Sequence, residues 1–409
     1  MQPRIRASLL GLTLLLATSS LPCFAQAGPV PTQSNQSLQQ ELQQKLNEFH
    51  AAGKFPGATA GFALQDGTSF GLAFGLSSIE PKVAMTPDHL LIQGSVGKTY
   101  VAAVALQLVQ EKKLGLDDKI EKYLGGLKWF SRLPNAGDIT VRMLMNHTSG
   151  LVRYEFKEQF TKDLTADPNR VWKPQELVSY ILDTAAPFAA GQGWEYSDTN
   201  YIVLGMIIEK ITGSTYYREL SRRVLRPLKL TQTFPTDRRT IAGLSQGYAG
   251  KDNPFGGSDA MIKDGTMIIN PQFEWTGGGI ASTASDLARW ARLLYEGKAF
   301  EKSLLDRMLE GVPAKLGPEA KYGLGVIIRP TPLGISFGHS GFFPGYITEA
   351  MYFPQIKTAV AVQVNTSVPR ATPKSLRAFI VELAQVIADE QKTTAGLPDR
   401  REDLSTSLR

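Results

Sequence analysis

The sequence predicts an α+β fold in which one antiparallel β-sheet, built from both chain ends, is flanked by helices and carries an inserted, mostly helical region. Strand-like apolar runs are confined to residues 58–74 and 324–364, and amphipathic helical patterns stand before the first group and after the last. Between them, from about residue 87 to residue 250, helical periodicity dominates. Because neither strand group could form a covered sheet alone, we expect both groups to pair in one sheet.

The first elements are a helix and a hairpin. Four apolar residues spaced four, four and three apart lie on one helical face: Leu38, Leu42, Leu46 and Phe49. Two apolar runs follow at 58–64 and 68–74. Asp66-Gly67 between them is typical of a tight turn in which both central residues have positive φ.

The remaining elements follow the same logic. Within the insert, helices are predicted over 99–110, 174–183 and 199–211, the last ended by Gly213. Strands return at 324–328, 335–339, 346–353 and 358–364. A final helix has its apolar residues on one face: Leu376, Phe379, Ile380, Leu383, Val386 and Ile387. We expect residues 393–409 to form a loose polar tail.

Composition and the N-terminus limit the class of protein. With 43% hydrophobic and 20% charged residues in 409, the chain is typical of a globular protein and not of a disordered one. Arg4 and Arg6, an apolar run over 9–16 and Ala25-Gln26-Ala27 predict a signal peptide over residues 1–27, cleaved near Ala25 or Ala27.

Cleavage would remove Cys23, the single cysteine, and leave 42 basic against 38 acidic residues, a formal charge of +4 in place of +6. Residues 28–392 would then form one catalytic domain, periplasmic or secreted, with no stable membrane span. The chain has no block of five or more basic residues, so a nucleic-acid partner is not expected.

The first candidate motif is Ser95-Val96-Gly97-Lys98. Residues three apart share a helix face, so Lys98 can assist Ser95 as a nucleophile if burial alters the basicity of its amine. The following Gly97-Lys98-Thr99 resembles the end of a phosphate-binding loop, but Ile92 occupies the position where that motif needs a glycine. An exposed serine and lysine at a helix start is the commoner outcome for an isolated motif of this kind.

Two further segments contain residues with suitable chemistry. In Tyr196-Ser197-Asp198, Tyr196 could relay protons and Asp198 could hold a cation. The alternative is a structural role for both, with Asp198 as a helix N-cap and Tyr196 as a core aromatic residue. In the stretch from Gly338 to Phe342, small residues follow an apolar strand. Glycine lets a substrate approach a strand edge closely, and a free backbone N–H at that edge can stabilise an oxyanion. The alternative is a glycine-rich loop end with a surface histidine.

Taken together and in this order, the segments resemble the class C β-lactamase and D-Ala-D-Ala carboxypeptidase superfamily, the penicillin-recognising serine hydrolases. The resemblance runs from about Leu38 to Ala388. It is carried also by flanking segments at 113–118, 139–142, 146–151, 277–287 and 322–325, which read KLGLDD, ITVR, NHTSGL, GGGIASTASDL and YGLG.

The resemblance implies a β-lactamase/transpeptidase-like fold and a role for each motif residue. Ser95 would be the nucleophile, Lys98 its base or electrostatic support, and Tyr196 the proton relay. The backbone N–H groups of Ser95 and Phe342 would form the oxyanion hole, and the remaining motif residues would bind substrate: Asp198, His339, Ser340 and Gly341. No metal or cofactor is implied, and the four histidines show no metal-ligand spacing.

Two departures from the family pattern narrow the expected activity. Where the family usually has Tyr-x-Asn, this chain has Tyr196-Ser197-Asp198. The Asp198 carboxylate cannot donate a hydrogen bond to a substrate amide, and its charge should raise the pKa of Tyr196. Where class C β-lactamases have Lys-Thr-Gly, this chain has His339-Ser340-Gly341, which resembles the carboxypeptidase and esterase branches. Unlike the lysine, a histidine is largely neutral above about pH 6.5.

The expected function is therefore an exported serine hydrolase that cleaves a peptide, amide or ester bond through an acyl-enzyme, most like a D-alanyl-D-alanine carboxypeptidase or a related esterase. Its substrate would be a small molecule or peptide: a peptidoglycan-like peptide, an ester or a β-lactam. A weak class C-type β-lactamase and a non-catalytic penicillin- or cell-wall-binding protein remain as alternatives. A Ser-His-Asp triad that uses His147 has no support from spacing, and we expect His147 to anchor a loop.

Overall fold

A computed structural model describes residues 33–251, 253–256 and 259–395. The predicted signal peptide and most of the predicted tail lie outside these ranges. The helices among the described residues are α1 (Gln33–Ala51), α2 (Lys98–Gln110), α3 (Glu121–Leu124), α4 (Val141–Met145), α5 (Glu158–Ala166), α6 (Pro174–Ser179), α7 (Asp198–Thr212), α8 (Tyr216–Leu220), α9 (Trp275–Gly278), α10 (Ala284–Tyr295), α11 (Ser303–Leu309) and α12 (Leu376–Ala395). No helix within the described residues is both long and apolar enough to cross a bilayer.

The strands are β1 (Gly57–Ala63), β2 (Ser69–Ser78), β3 (Val83–Ala84), β4 (Leu91–Ile92), β5 (Thr233–Pro235), β6 (Ile262–Lys263), β7 (Thr266–Met267), β8 (Ile280–Ser282), β9 (Val312–Pro313), β10 (Lys321–Tyr322), β11 (Ile327–Thr331), β12 (Gly334–Phe343), β13 (Tyr346–Phe353) and β14 (Thr358–Val364). Nine of them form one sheet in the order β3-β2-β1-β14-β13-β12-β11-β10-β9. The predicted antiparallel sheet is thus confirmed: β1, from the start of the chain, pairs antiparallel with β14, from its end.

The two faces of the sheet are covered by different parts of the chain. On one face, Val360, Val362 and Val364 of β14 pack into a core with apolar residues of α1 and α12. On the other face, Ala359 and Ala361 join the larger core that contains the helical region. Alternation of side chains along a strand produces this division, and because both faces are covered, β14 is buried at every position.

Helix α2 lies in the middle of the larger core. Ten of its thirteen residues are buried, which agrees with its apolar character on all sides. Tyr100 stacks on Trp290 of α10 with ring centroids 4.3 Å apart, and Trp290 Nε1 donates to Thr99 Oγ1 at 2.7 Å. Because α2 is fixed all round, the 3₁₀ turn Gly94–Gly97 at its N-terminus is held in place, and this turn contains Ser95.

Three local predictions differ in detail from the structure. At the hairpin turn only Gly67 has positive φ, because the Asp66 carboxylate accepts bonds from the N–H and hydroxyl of Thr68 and closes the turn differently. Strand β12 does not stop at His339 but continues to Phe343, since β13 pairs with it as far as Tyr346. The helical elements continue past residue 250 to α11.

Helix α10 approaches the sheet closely at Gly61 in β1, where an added Cβ would lie 1.8 Å from the carbonyl oxygen of Ala284. We predict that Gly61→Ala lowers the free energy of unfolding by about 1–3 kcal/mol or more, because α10 must move off the sheet. Gly137→Ala is the matched control, since its Cβ would have nothing within 4 Å, and it should change stability by less than about 0.5 kcal/mol. Urea denaturation of both variants measures the difference, and equal midpoints would contradict the prediction.

Candidate active site

The structure brings the first two motifs together around Lys98. Its side chain is fully buried, and Nζ lies 3.0 Å from Ser95 Oγ. Nζ also contacts Asp198 Oδ1 and the carbonyl oxygen of Gly277, which precedes β8. These three contacts match the three N–H donors of an ammonium group. A buried cation must be paired and hydrogen-bonded, so the arrangement accounts for a lysine at a position with no access to water.

Asp198 is shared between two cations. Its Oδ1 faces Lys98, and its Oδ2 accepts from Nη2 of Arg153 at 2.9 Å. The two cations hold the pKa of Asp198 well below its usual value, against the opposing effect of burial. An asparagine here would turn an N–H group towards one of the two cations, so Arg153 explains why this chain has aspartate where the family usually has asparagine.

Tyr196 completes this group. Lys98 Nζ lies 4.9 Å from its ring centroid, and the guanidinium carbon of Arg153 lies 5.5 Å from it. The hydroxyl is buried without a geometrically acceptable hydrogen bond among the described residues, although Ser95 is near enough to influence its pKa. Burial first and the negative charge of Asp198 second raise the pKa of Tyr196 well above 10, in the direction expected from the sequence. The phenol is therefore a proton donor at neutral pH.

The backbone of Phe342 faces the Ser95 turn. Strand β11 pairs with β12 only as far as Ile327 opposite Gly338, so the rest of that edge of β12 has no neighbouring strand. Pro330 lies opposite Ile335 and has no N–H to exchange, so alternation directs the N–H groups of residues 338, 340 and 342 to this edge. An added Cβ at Gly94 would lie 2.7 Å from Phe342 N, which agrees with that direction.

Gly341 allows this close approach. A Cβ on Gly341 would lie 1.8 Å from the carbonyl oxygen of Gln93, directly before the Ser95 turn. The third motif thus supplies a backbone edge beside the nucleophile, and its glycine is required by the contact.

His339 is buried and does not present a titratable ring to the substrate. Its ring is 1% exposed, Nδ1 donates to the Ser340 carbonyl at 2.6 Å, and Nε2 lies 2.8 Å from the Tyr322 hydroxyl. Burial, and then the charge of Lys98, lower the pKa of His339 to about 3. The ring is neutral at physiological pH. It therefore does not supply a positive charge that could pair with a substrate carboxylate.

Ser340 lies on the other side of β12 from His339, because adjacent residues of a strand point to opposite faces. Its Oγ is 3.3 and 3.4 Å from the Arg329 guanidinium, which is itself paired with Glu349. Residue Ser340 therefore contributes to the sheet, and its side chain is occupied by these partners.

His147 has the structural surroundings expected of it. It is fully buried, its Nδ1 lies 3.0 Å from the Asn200 side-chain amide, and its ring packs 4.2 Å from that of Tyr196. Ser149 donates to Asn200 instead of to His147. The two residues do not form part of a catalytic triad.

A cavity of about 450 Å³ opens beside Ser95. Its wall includes Ser95, Asp198 and Phe342 from the motifs, together with residues from 153–164 and 254–255. Arg153, Glu155 and Glu274 also line it, and none of these three was identified from the sequence. A larger depression of about 860 Å³ elsewhere contains none of the motif residues, so the site is assigned to the smaller cavity.

Within the described ranges, no group of three or more His, Cys, Asp or Glu side chains is arranged to hold a metal ion. At the site, a serine contacts a buried lysine beside a tyrosine whose raised pKa keeps it protonated and a free strand edge.

Comparison with known proteins agrees with this chemistry. The family profile described as Beta-lactamase matches residues 42–385. Penicillin-binding protein 4* of Bacillus subtilis is 26% identical over 303 residues, which cover 70% of this chain and 63% of that protein. The teichoic acid D-alanine hydrolase of Staphylococcus aureus is 24% identical over 300 residues, 71% of this chain and 66% of that protein. The chain thus matches less than two thirds of the length of these relatives.

Two solved structures share the fold over most of their length. A D-stereospecific amidohydrolase from Streptomyces superposes with a TM-score of 0.70 at 28% identity, over 85% of this chain and 96% of that one. A D-amino acid amidase from Ochrobactrum anthropi, in complex with L-phenylalanine amide, superposes with a TM-score of 0.72 at 23% identity, over 88% and 99%. With the profile match spanning most of the sequence, the chain belongs to the β-lactamase family of penicillin-recognising serine hydrolases.

Proposed function

We propose that the protein is an exported hydrolase that forms an acyl-enzyme on Ser95 and cleaves an ester, amide or peptide bond. Of the two expected types, a D-alanyl-D-alanine carboxypeptidase and a related esterase, the surroundings of the site favour the second. The observation that carries this proposal is the fully buried Lys98, whose Nζ lies 3.0 Å from Ser95 Oγ. A buried amine beside a serine provides the activation that an ordinary hydroxyl lacks.

Protons pass through Lys98 and Tyr196. The Lys98–Tyr196 pair acts as the base after it has released one proton to solvent. When Ser95 Oγ attacks the carbonyl carbon, the serine proton passes to the pair and fills that vacancy. Tyr196 then gives a proton to the leaving oxygen or nitrogen as its bond to the acyl carbon breaks. Water attacks the acyl-enzyme, gives one proton to the same pair, and Ser95 recovers it when the acid leaves. Each step balances without another reactant.

The N–H groups of Ser95 and Phe342 stabilise the oxyanion. Ser95 lies in the first turn of helical structure, where N–H groups lack partners within the helix, and Phe342 presents its N–H at the free edge of β12. Loss of one such donor costs about 10²–10³-fold in kcat in comparable sites. The positive end of α2 points to the same place and adds to the effect.

The surroundings favour a substrate without a carboxylate on the leaving group. The residue in the third motif that could carry a positive charge, His339, is neutral and buried, and the nearby Arg329 is paired with Glu349. Esters and amides with uncharged leaving groups are therefore favoured over D-alanyl-D-alanine peptides and β-lactams, which carry a carboxylate. The Streptomyces protein of similar structure is a D-stereospecific amidohydrolase, which supports the same class of substrate.

A non-catalytic binding protein is the weaker candidate. Only Asp198 favoured it, and the contact between Asp198 and Arg153 gives that residue a reason to be present in an active site.

We predict that a fluorophosphonate or fluorescent penicillin probe labels Ser95, and that Ser95→Ala abolishes the labelling. Tyr196→Phe should still label but should hydrolyse a 4-nitrophenyl ester about 10²–10⁴-fold more slowly, because it lacks the proton relay. Peptide mapping of the adduct and steady-state kinetics measure both effects.

Ser149→Ala serves as the control, since Ser149 is buried away from Lys98 and should not affect which serine is labelled. An adduct on a residue other than Ser95, or no adduct with either probe, would refute the proposal.

Side-by-side turnover of an amide, an ester, a D-Ala-D-Ala peptide and a cephalosporin tests the leaving-group preference. If the cephalosporin is turned over fastest, the result would favour the β-lactamase alternative.

Export rests on the leader-like pattern of residues 1–27. We predict that the natural protein begins near Gln26 or Gly28. N-terminal sequencing tests this, and a mature chain that still begins at residue 1 would contradict it.

A further inference from the structure

Glu274 is a carboxylate held in the wall of the cavity that contains Ser95. It ends the short turn Pro271–Glu274, which Asn270 caps by accepting a bond from the N–H of Gln272. The preceding residue, Phe273, is buried, and its carbonyl accepts the Tyr154 hydroxyl at 3.0 Å. The position of Glu274 is therefore fixed by the residues that precede it.

The carboxylate lies close to the nucleophilic turn. A Cβ added to Gly278 would be 2.8 Å from Glu274 Oε2 and 2.6 Å from the carbonyl of Gly94, so both atoms border the same point. Gly94 directly precedes Ser95. A group bound to Glu274 would thus lie next to an acyl group attached to Ser95.

Glu274 has no counter-charge of its own. The cavity brings together three carboxyl groups and two cations. Asp198 pairs with Lys98 and Arg153, and Glu155 pairs with Arg153 at 2.5 Å. Glu274 makes no ion pair or side-chain hydrogen bond with any residue in the described ranges. A carboxylate that is partly buried and unpaired costs free energy, and a cation on the ligand would remove that cost.

The rest of the wall, apart from Ser95 and Thr161, is apolar. Phe160, Leu164 and Phe273 lie inside the cavity, and two exposed rings stand at it: Phe156, 73% exposed, and Phe342, 58% exposed. An acyl side chain bound here would be apolar and bulky, since small groups would leave these rings in contact with water.

We propose that Glu274 selects the acyl half of the substrate by pairing with a free ammonium group next to the scissile carbonyl. The preferred substrates would be esters or amides of amino acids with an unblocked amino group and a large apolar side chain. This inference rests on the proposed function, because it assumes acylation of Ser95. A carboxylate here could also act as a general base for the attacking water. That role would affect substrates with and without an amino group alike, whereas pairing affects only substrates that carry the amino group.

A first consequence concerns stability. Burial, and then the charge of Asp198, raise the pKa of Glu274 from its ordinary 4.5 to about 7. Between these pH values the folded state binds a proton that the unfolded state has lost, so this carboxyl makes stability fall as pH rises through that window. We predict that Glu274→Gln removes this fall and is relatively more stable at pH 8. Melting temperatures of both proteins from pH 5 to 8 measure it, and parallel curves would contradict it.

The decisive experiment compares two nitroanilides that differ in one group. One is phenylalanine 4-nitroanilide, tested as both enantiomers, and the other is 3-phenylpropionyl 4-nitroanilide, which lacks the amino group. We expect the wild-type protein to prefer the better phenylalanine enantiomer by about tenfold or more in kcat/KM, and Glu274→Gln to lose about tenfold of that preference, mostly through KM. Glu274→Asp, which keeps the charge, should retain part of it.

Glu158→Gln is the matched control, because Glu158 is 82% exposed on nearby α5 and its removal changes the net charge equally. This variant should keep the wild-type preference. A wild-type ratio near one, an equal loss in Glu158→Gln, or an equal fall in kcat for both substrates in Glu274→Gln would overturn the inference. Absence of turnover with both nitroanilides, with Ser95 unlabelled by either probe, would instead refute the proposed function itself.

Discussion

The buried ammonium group of Lys98 is the constraint on which the site depends. Its acceptors come from three distant parts of the sequence: Ser95 before α2, Asp198 at the start of α7, and Gly277 before β8. A cation with no access to water is stable only while all of these acceptors are in place, because leaving a buried charge unpaired costs several kcal/mol (about 3–5 for a broken pair). The nucleophile is therefore held in position only when the helical region is correctly packed against the sheet.

Much of this arrangement could be predicted from the sequence, because it depends on local pattern. The spacing in α1, the hairpin of β1 and β2, and the apolar run of β14 each follow from periodicity, and pairing both chain ends follows from the need to cover a sheet. Ser95 and Lys98 are three residues apart on one helix face, so their contact is local too. The end of β12 was missed because its small residues read as a loop, whereas pairing with β13 keeps it extended through Phe343.

Arg153 and Glu274 could not be found in the same way, because their roles arise from contacts across the fold. Arg153 is 45 residues from Asp198, and Glu274 belongs to a turn with no motif. One signal was available for Arg153: an aspartate in place of the usual asparagine beside a lysine calls for a second cation. His339 shows the converse case, since its residue type suggested a charge near neutral pH and only burial reveals a neutral ring.

Two polar groups without partners from the described residues lie at the site that contains Ser95, although such groups also occur elsewhere in the fold. The networks around Lys98 and His339 give the polar atoms of these two side chains partners from the protein. The Tyr196 hydroxyl and the Glu274 carboxylate have no such partners among the described residues, yet both lie within reach of Ser95. Each of the two could have been satisfied by a single polar neighbour. Under the proposed function, a reacting substrate would supply the missing partners, and the free energy gained there would contribute to catalysis.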